Sequence, residues 1–177
     1  MLPFADGYVY VYGLQDRGLL NKSLLVARVR AQDFEDFAKY TFYDGKGFVS
    51  DIKNAVPVCE EGGAEMSITP ISHGPDKGKY LYIYNGSSVG SMIYSRVADA
   101  PFGPFGDKKL LYDISEPAKI AHYGGKKIYT YNSKAHYHIS DPDSLLISYN
   151  VNTMDFESHI TNTEIYRPRF LRLRTIK

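Results

Sequence analysis

Residues 8–12 (YVYVY) and 80–84 (YLYIY) follow one pattern: tyrosine at every second position and an aliphatic residue between. A period of two predicts a strand, and neither face of it is polar, so each strand is expected to lie between two layers. A second apolar segment follows each of these, at residues 24–29 (LLVARV) and 91–97 (SMIYSRV). Beyond those segments the chain repeats a phrase, residues 28–44 (RVRAQDFEDFAKYTFYD) and 96–113 (RVADAPFGPFGDKKLLYD). Arg28 matches Arg96, Phe34 matches Phe102 and Phe37 matches Phe105, each 68 residues apart, and Tyr43 matches Tyr112 at 69. A fixed long period is the mark of a repeated structural unit.

A third, worn copy is visible at residues 145–150 (LLISYN) and 167–174 (RPRFLRLR). The middle copy reads as four antiparallel strands, over 65–71, 79–84, 91–97 and 109–112. The segments between strands are rich in Gly, Pro and Asp, with Asp-Gly at 6–7 and 44–45 marking turns. No long amphipathic helix is expected, and a single short helical turn is expected over 117–123. The pattern therefore predicts an all-β chain of four-stranded sheets in series. The expected architecture is a partial β-propeller: an incomplete blade over 1–50, a complete one over 60–115 and an incomplete one over 128–177. That amounts to roughly two and a half blades, where closure takes about four or more. The chain then reads as the C-terminal part of a larger propeller, or as one that completes itself with a second copy. The competing architecture is a sandwich of about ten strands without a true repeat.

Composition narrows the function. The 177 residues include sixteen Tyr, nine Phe and no Trp, which suits half-buried pleated surfaces. A net charge of +1 gives no support for a nucleic-acid partner. No apolar run is long enough to span a membrane, and the first residues carry no export signal. One cysteine, Cys59, excludes an internal disulfide and a cysteine metal cluster.

The phrase APFGPF at 100–105 resembles the blade turn of five-bladed propeller glycoside hydrolases of the arabinanase, xylosidase and fructosidase type. Residues 6–13 (DGYVYVYG), 145–152 (LLISYNVN) and 166–173 (YRPRFLRL) are similar to a bacterial branch of such propellers, the DUF4185/DUF5005-like proteins. The order of the phrases matches the C-terminal half of that group. The resemblance implies action on, or binding of, a polysaccharide, and a secreted or periplasmic location. The N-terminal blades are absent, and with them the catalytic carboxylate they carry in the related enzymes. The chain by itself is thus expected to be inactive. The alternatives are a non-catalytic module that binds carbohydrate or protein, or a truncated remnant that self-associates.

The candidate residues come from the two expected innermost strands, 65–71 and 132–138, both rich in polar groups. By the resemblance, Glu65 stands where the general acid of the sugar-cleaving propellers stands; the alternative is a strand-edge carboxylate facing water. It follows Gly62 and Gly63, expected to let the backbone come close to a ligand. Alternation places Asn132, Lys134, His136 and His138 on one face. The resemblance implies a channel histidine that orients a substrate hydroxyl, for which His136 is the candidate; the commoner case is a satisfied core histidine. Lys134 could steady an anionic sugar or pair with Glu65, and Asn132 shares that face. Asp51 could line the same mouth, and is more readily a turn aspartate. His136 and His138 alone lack the third ligand of a catalytic zinc. No metal site or cofactor is expected, although an axial ion such as Ca2+ is compatible with the fold. The arginines at 167–174 read as partners of nearby acids. Asn85 with Ser87 matches a glycosylation pattern too short to carry weight. Carbohydrate is the expected partner, with a homodimer covering the exposed strand edges.

Overall fold

The structure, a computed structural model, describes residues 6–18, 21–86, 90–124, 128–141 and 144–174. Ser87 of the glycosylation pattern lies outside them. The chain is all-β, with eleven strands in three antiparallel sheets and two short helices among the described residues.

The first sheet is a meander of β1 (Tyr8–Asp16), β2 (Lys22–Arg30), β3 (Thr41–Tyr43) and β4 (Phe48–Val49). β1 and β2 pair over their whole length, Tyr8 opposite Arg30 and Asp16 opposite Lys22. The two-residue strand β4 was not legible in the pattern; the turn before it is closed by Asp44, whose carboxylate accepts from the Lys46 and Gly47 amides. Gly45 sits in that turn at φ 93°, a conformation that side chains resist.

The second sheet is the meander β5 (Met66–Pro70), β6 (Tyr80–Asn85), β7 (Met92–Ala98) and β8 (Lys109–Asp113). These bounds match the four predicted strands to within a residue or two. The third sheet runs β9 (Ile128–Ala135), β10 (Ser144–Thr153) and β11 (Pro168–Arg174), with β10 in the centre. Helix α1 (Pro117–His122) covers the predicted helical turn, and α2 (Phe156–Thr161) joins β10 to β11. Asp155 caps α2 by accepting from the Ser158 amide.

Two compact units result. The first holds residues 1–62 together with 100–104. In it Phe102 packs on Tyr10, Tyr43 and Phe48, with ring centroids 6.3, 5.1 and 5.4 Å away. The second unit holds residues 63–99 and 105–177, that is, the second and third sheets. Phe105 packs there on Tyr82 at 5.3 Å. The two phenylalanines of the repeated phrase thus serve different units. Their counterparts Phe34 and Phe37 lie at the surface, 40% and 82% exposed.

β6 is buried on both faces, as its pattern demanded. Tyr82 and Tyr84 stack at 4.3 Å on one side. Leu81 and Ile83 on the other side join Ile93, Ile147, Tyr149 and Val151 in the core between the second and third sheets. Burying each such side chain stabilises the unit by about 1.5–3 kcal/mol relative to exposure. A polar link also joins the two sheets. The buried Asn85 amide donates to Thr130 Oγ1 at 2.7 Å, and its Oδ1 accepts from the Ser133 amide at 3.1 Å.

Candidate functional site

β9 departs from regular alternation. Its pairing with β10 moves from Lys134 opposite Ser148 to Tyr131 opposite Asn150, so Tyr149 faces two residues, Asn132 and Ser133. This is a β-bulge. Asn132 adopts φ 58°, the left-handed region where asparagine is among the tolerated residues. The buried positions become Thr130 and Ser133, three apart instead of two.

The bulge rearranges the predicted polar face. Asn132 turns its Oδ1 inward, where it finds no hydrogen-bond partner among the described residues. Lys134 is exposed. His136 lies beyond the end of β9, and His138 sits in a 3-10 turn (Tyr137–Ile139), so the expected strand over 132–138 is corrected to β9. The physical reason is the 3-10 turn that follows, where Ser140 Oγ donates to the His136 carbonyl at 2.7 Å and turns the chain away from β10. The His136 ring shares a hydrogen bond of 2.7 Å with Ser148 Oγ. Ser67, the second residue of β5, accepts from the Ala135 amide at 2.8 Å, which sets the end of β9 beside the start of β5. Glu65 immediately precedes β5 and is exposed. Asp51, in the first unit, accepts from the Lys53 amide at 2.9 Å and caps a 3-10 turn (Ile52–Asn54). Asn132 thus sits on the β9 bulge, while the Ala135–Ser67 contact brings the end of β9, with Lys134 and His136, to the start of β5, which Glu65 precedes.

Gly62 and Gly63 serve packing. A Cβ at Gly62 would come 2.5 Å from Leu14 Cδ2, and one at Gly63 would come 2.7 Å from Tyr84 Cβ. The Gly63 amide donates to the buried Tyr82 hydroxyl at 2.9 Å. The glycine pair therefore admits neighbouring side chains and fixes where Glu65 begins.

From β9 outward the second unit presents a row of rings. Tyr131 lies 6.1 Å from Tyr129 and 6.5 Å from Tyr166; Tyr166 meets His159 edge-on at 5.6 Å, and His159 meets Phe156 at 6.2 Å. The Tyr131 hydroxyl is pushed above its ordinary pKa, by burial first, then by the Tyr166 and Tyr129 hydroxyls and by the Glu65 carboxylate. Tyr166 and Phe156 are 63% and 76% exposed. His159 is oriented by its Nε2, which donates to the Thr153 carbonyl at 3.1 Å. Tyr166 holds φ 68°, which costs a non-glycine residue on the order of 1–3 kcal/mol. The two left-handed non-glycine residues described, Asn132 and Tyr166, both belong to this end. Strain retained at an exposed ring and beside an unpaired buried oxygen is characteristic of binding sites. Sequence reasoning missed Tyr166, His159 and Phe156 as a group. The one available signal was a set of aromatic residues outside any repeat.

Nearby, Tyr112, Tyr123 and Tyr149 gather under Arg169. Burial is the first cause that raises the Tyr149 and Tyr123 hydroxyls, and Tyr112 adds to the effect on Tyr149 through a hydrogen bond. Arg169 lies over the Tyr123 ring at 5.5 Å and pairs with Glu164. Glu164 also meets Arg167 at 2.6 Å and His122 at 3.5 Å. Arg172 pairs with Asp141. These contacts agree with the reading of Arg167, Arg169 and Arg172 as partners of acids, whereas Arg174 forms no ion pair among the described residues. A separate cavity of about 460 Å3 opens at the opposite end of β5, beyond Pro70. None of the sequence-predicted site residues lines it. No group of three or more His, Cys, Asp or Glu side chains converges on a metal position among the described residues. No helix there is long and apolar enough to cross a membrane.

Comparison with solved structures finds the fold in a Bacteroides ovatus protein provisionally named a hydrolase, with a TM-score of 0.67 and 20% identity. The match covers 95% of this chain and 42% of that one, so the chain spans less than half the length of its structural relative. Curated proteins yield no match. The sequence pattern of the family described as a domain of unknown function, DUF5005, matches residues 1–175, and the chain belongs to that family.

Proposed function

We propose that the chain is part of a β-propeller protein of glycoside hydrolase type, and that the Glu65 end of its second unit binds a polysaccharide. Three consecutive antiparallel meanders support the propeller reading. The observation that carries the site is the ring row through Tyr131, Tyr166 and His159, with left-handed backbone at Asn132 and Tyr166. Flat aromatic faces with a polar rim suit sugar rings, which offer C–H groups on one side and hydroxyls at the edge. Glu65, exposed just before β5, supplies an acceptor for those hydroxyls. Glycoside cleavage needs two carboxyl groups about 5–9.5 Å apart. The sequence offers no evident second catalytic carboxylate, and Asp51, the candidate for lining the mouth, caps a turn. Binding is therefore the role proposed for this chain, with turnover left to a longer protein. The hydrolase name of the structural relative favours the same class.

Calorimetric titration with soluble arabinan, xylan and levan oligosaccharides tests this reading. At least one should bind, and Tyr166→Ala should weaken it roughly tenfold, the effect of truncating an exposed aromatic anchor. Glu65→Gln should keep most of the affinity. Chromogenic glycosides should remain uncleaved. Wild-type protein that binds none of the panel, or a folded Tyr166→Ala protein that binds as well as wild type, would overturn the proposal.

A further inference from the structure

The cavity at the far end of β5 is built differently from the ring row. The core between the second and third sheets is closed in its middle by Ile83, Ile93, Ile147 and Val151, each fully or almost fully buried. Toward the C-terminal end of β5 that seam opens. Leu81, Val97, Leu111 and Leu145 line a cavity of about 460 Å3, within the range of small-molecule sites. An aliphatic floor facing water is unfavourable by about 25 cal/mol per Å2 and gains from an apolar occupant.

The rim carries an unbalanced charge. Asp76 on the rim is taken by Lys79 at 3.0 Å, and Asp141 by Arg172. His73 shares a hydrogen bond with Ser72 at 2.8 Å. Lys109 from β8 and Arg174 from β11 also line the cavity, and neither forms an ion pair among the described residues. The carboxylates at the mouth are neutralised and two cations are not. The geometry points to a binding site for an amphipathic organic anion: an aliphatic body on the leucine and valine floor, and a carboxylate head at Lys109 and Arg174. This site is independent of the ring row, which lies at the other end of β5.

Calorimetric titration with decanoate, against decan-1-ol as the uncharged control, tests the assignment. Decanoate should bind at one site at least tenfold more tightly than decanol. Lys109→Glu with Arg174→Glu should bring decanoate down to the level of decanol. Leu111→Trp, which fills the cavity, should remove binding of both, and Tyr166→Ala should change neither. Equal binding of decanoate and decanol, no decanoate binding at all, or decanoate binding unaffected by the double charge reversal would each overturn the site. If Leu111→Trp fails to fold by thermal melting, the charge reversals at the exposed rim decide the matter alone.

Discussion

Gly63 shows how narrow the tolerance is at a single position. Its missing side chain makes room for Tyr84, and a Cβ there would also meet the Glu65 carbonyl at 3.1 Å. Gly63→Ala should lower stability by about 1–3 kcal/mol, the usual cost of overpacking, as read from urea denaturation. It should also weaken any ligand of the ring row, because Glu65 starts from that contact. Glu164 carries a second prediction. Arg169 foremost, with Arg167, holds its carboxyl below the ordinary glutamate value of 4.5. The unfolded chain therefore takes up this proton first as pH falls, so the stability contribution is full above pH 4.5 and is lost as pH drops through the folded value. Melting curves from pH 6 down to about pH 3 should show a shallower decline for Glu164→Gln than for wild type.

At the level of elements, the seam between β6 and β9 is secured by one amide. Asn85→Ala would leave the Ser133 amide and Thr130 hydroxyl buried without that partner, at about 1–3 kcal/mol for each group that water cannot reach. The loss should appear as a lower urea midpoint with little change in slope. Strands β5 to β8 were legible from the sequence because each is long, β-rich and bounded by turn residues. The end of β9 was not. Its polar run of Asn132 to His138 fits period two on paper, yet the bulge opposite Tyr149 breaks the period in space. Helix α2 was missed for a related reason. Six residues give too little periodicity to register, and the Asp155 cap that starts the helix resembles any turn aspartate.

For the whole molecule, the third sheet differs from the other two in having three strands among the described residues, with β11 paired on one side only. Phe170 and Leu173 on β11 are 60% and 37% exposed. An unpaired edge bearing apolar side chains invites another strand. Sedimentation velocity should show self-association that rises with protein concentration, and Phe170→Lys should shift the chain toward monomer. A monomer at all concentrations would remove the expected homodimer. The division into two units also bears on the repeated phrase, since the chain commits Phe102 to the first unit and Phe105 to the second.

By itself the sequence determined the all-β class, the repeat near 68 residues and the strands apolar on both faces, because short-range alternation and turn chemistry dictate these locally. Only the tertiary structure decided that Asn132 sits on a bulge, that His136 binds Ser148, and that Tyr131, His159, Tyr166 and Phe156 form one row. Those facts depend on the register between β9 and β10 and on where the chain returns after α2. Both are set by contacts between residues far apart in the chain, which no local pattern encodes.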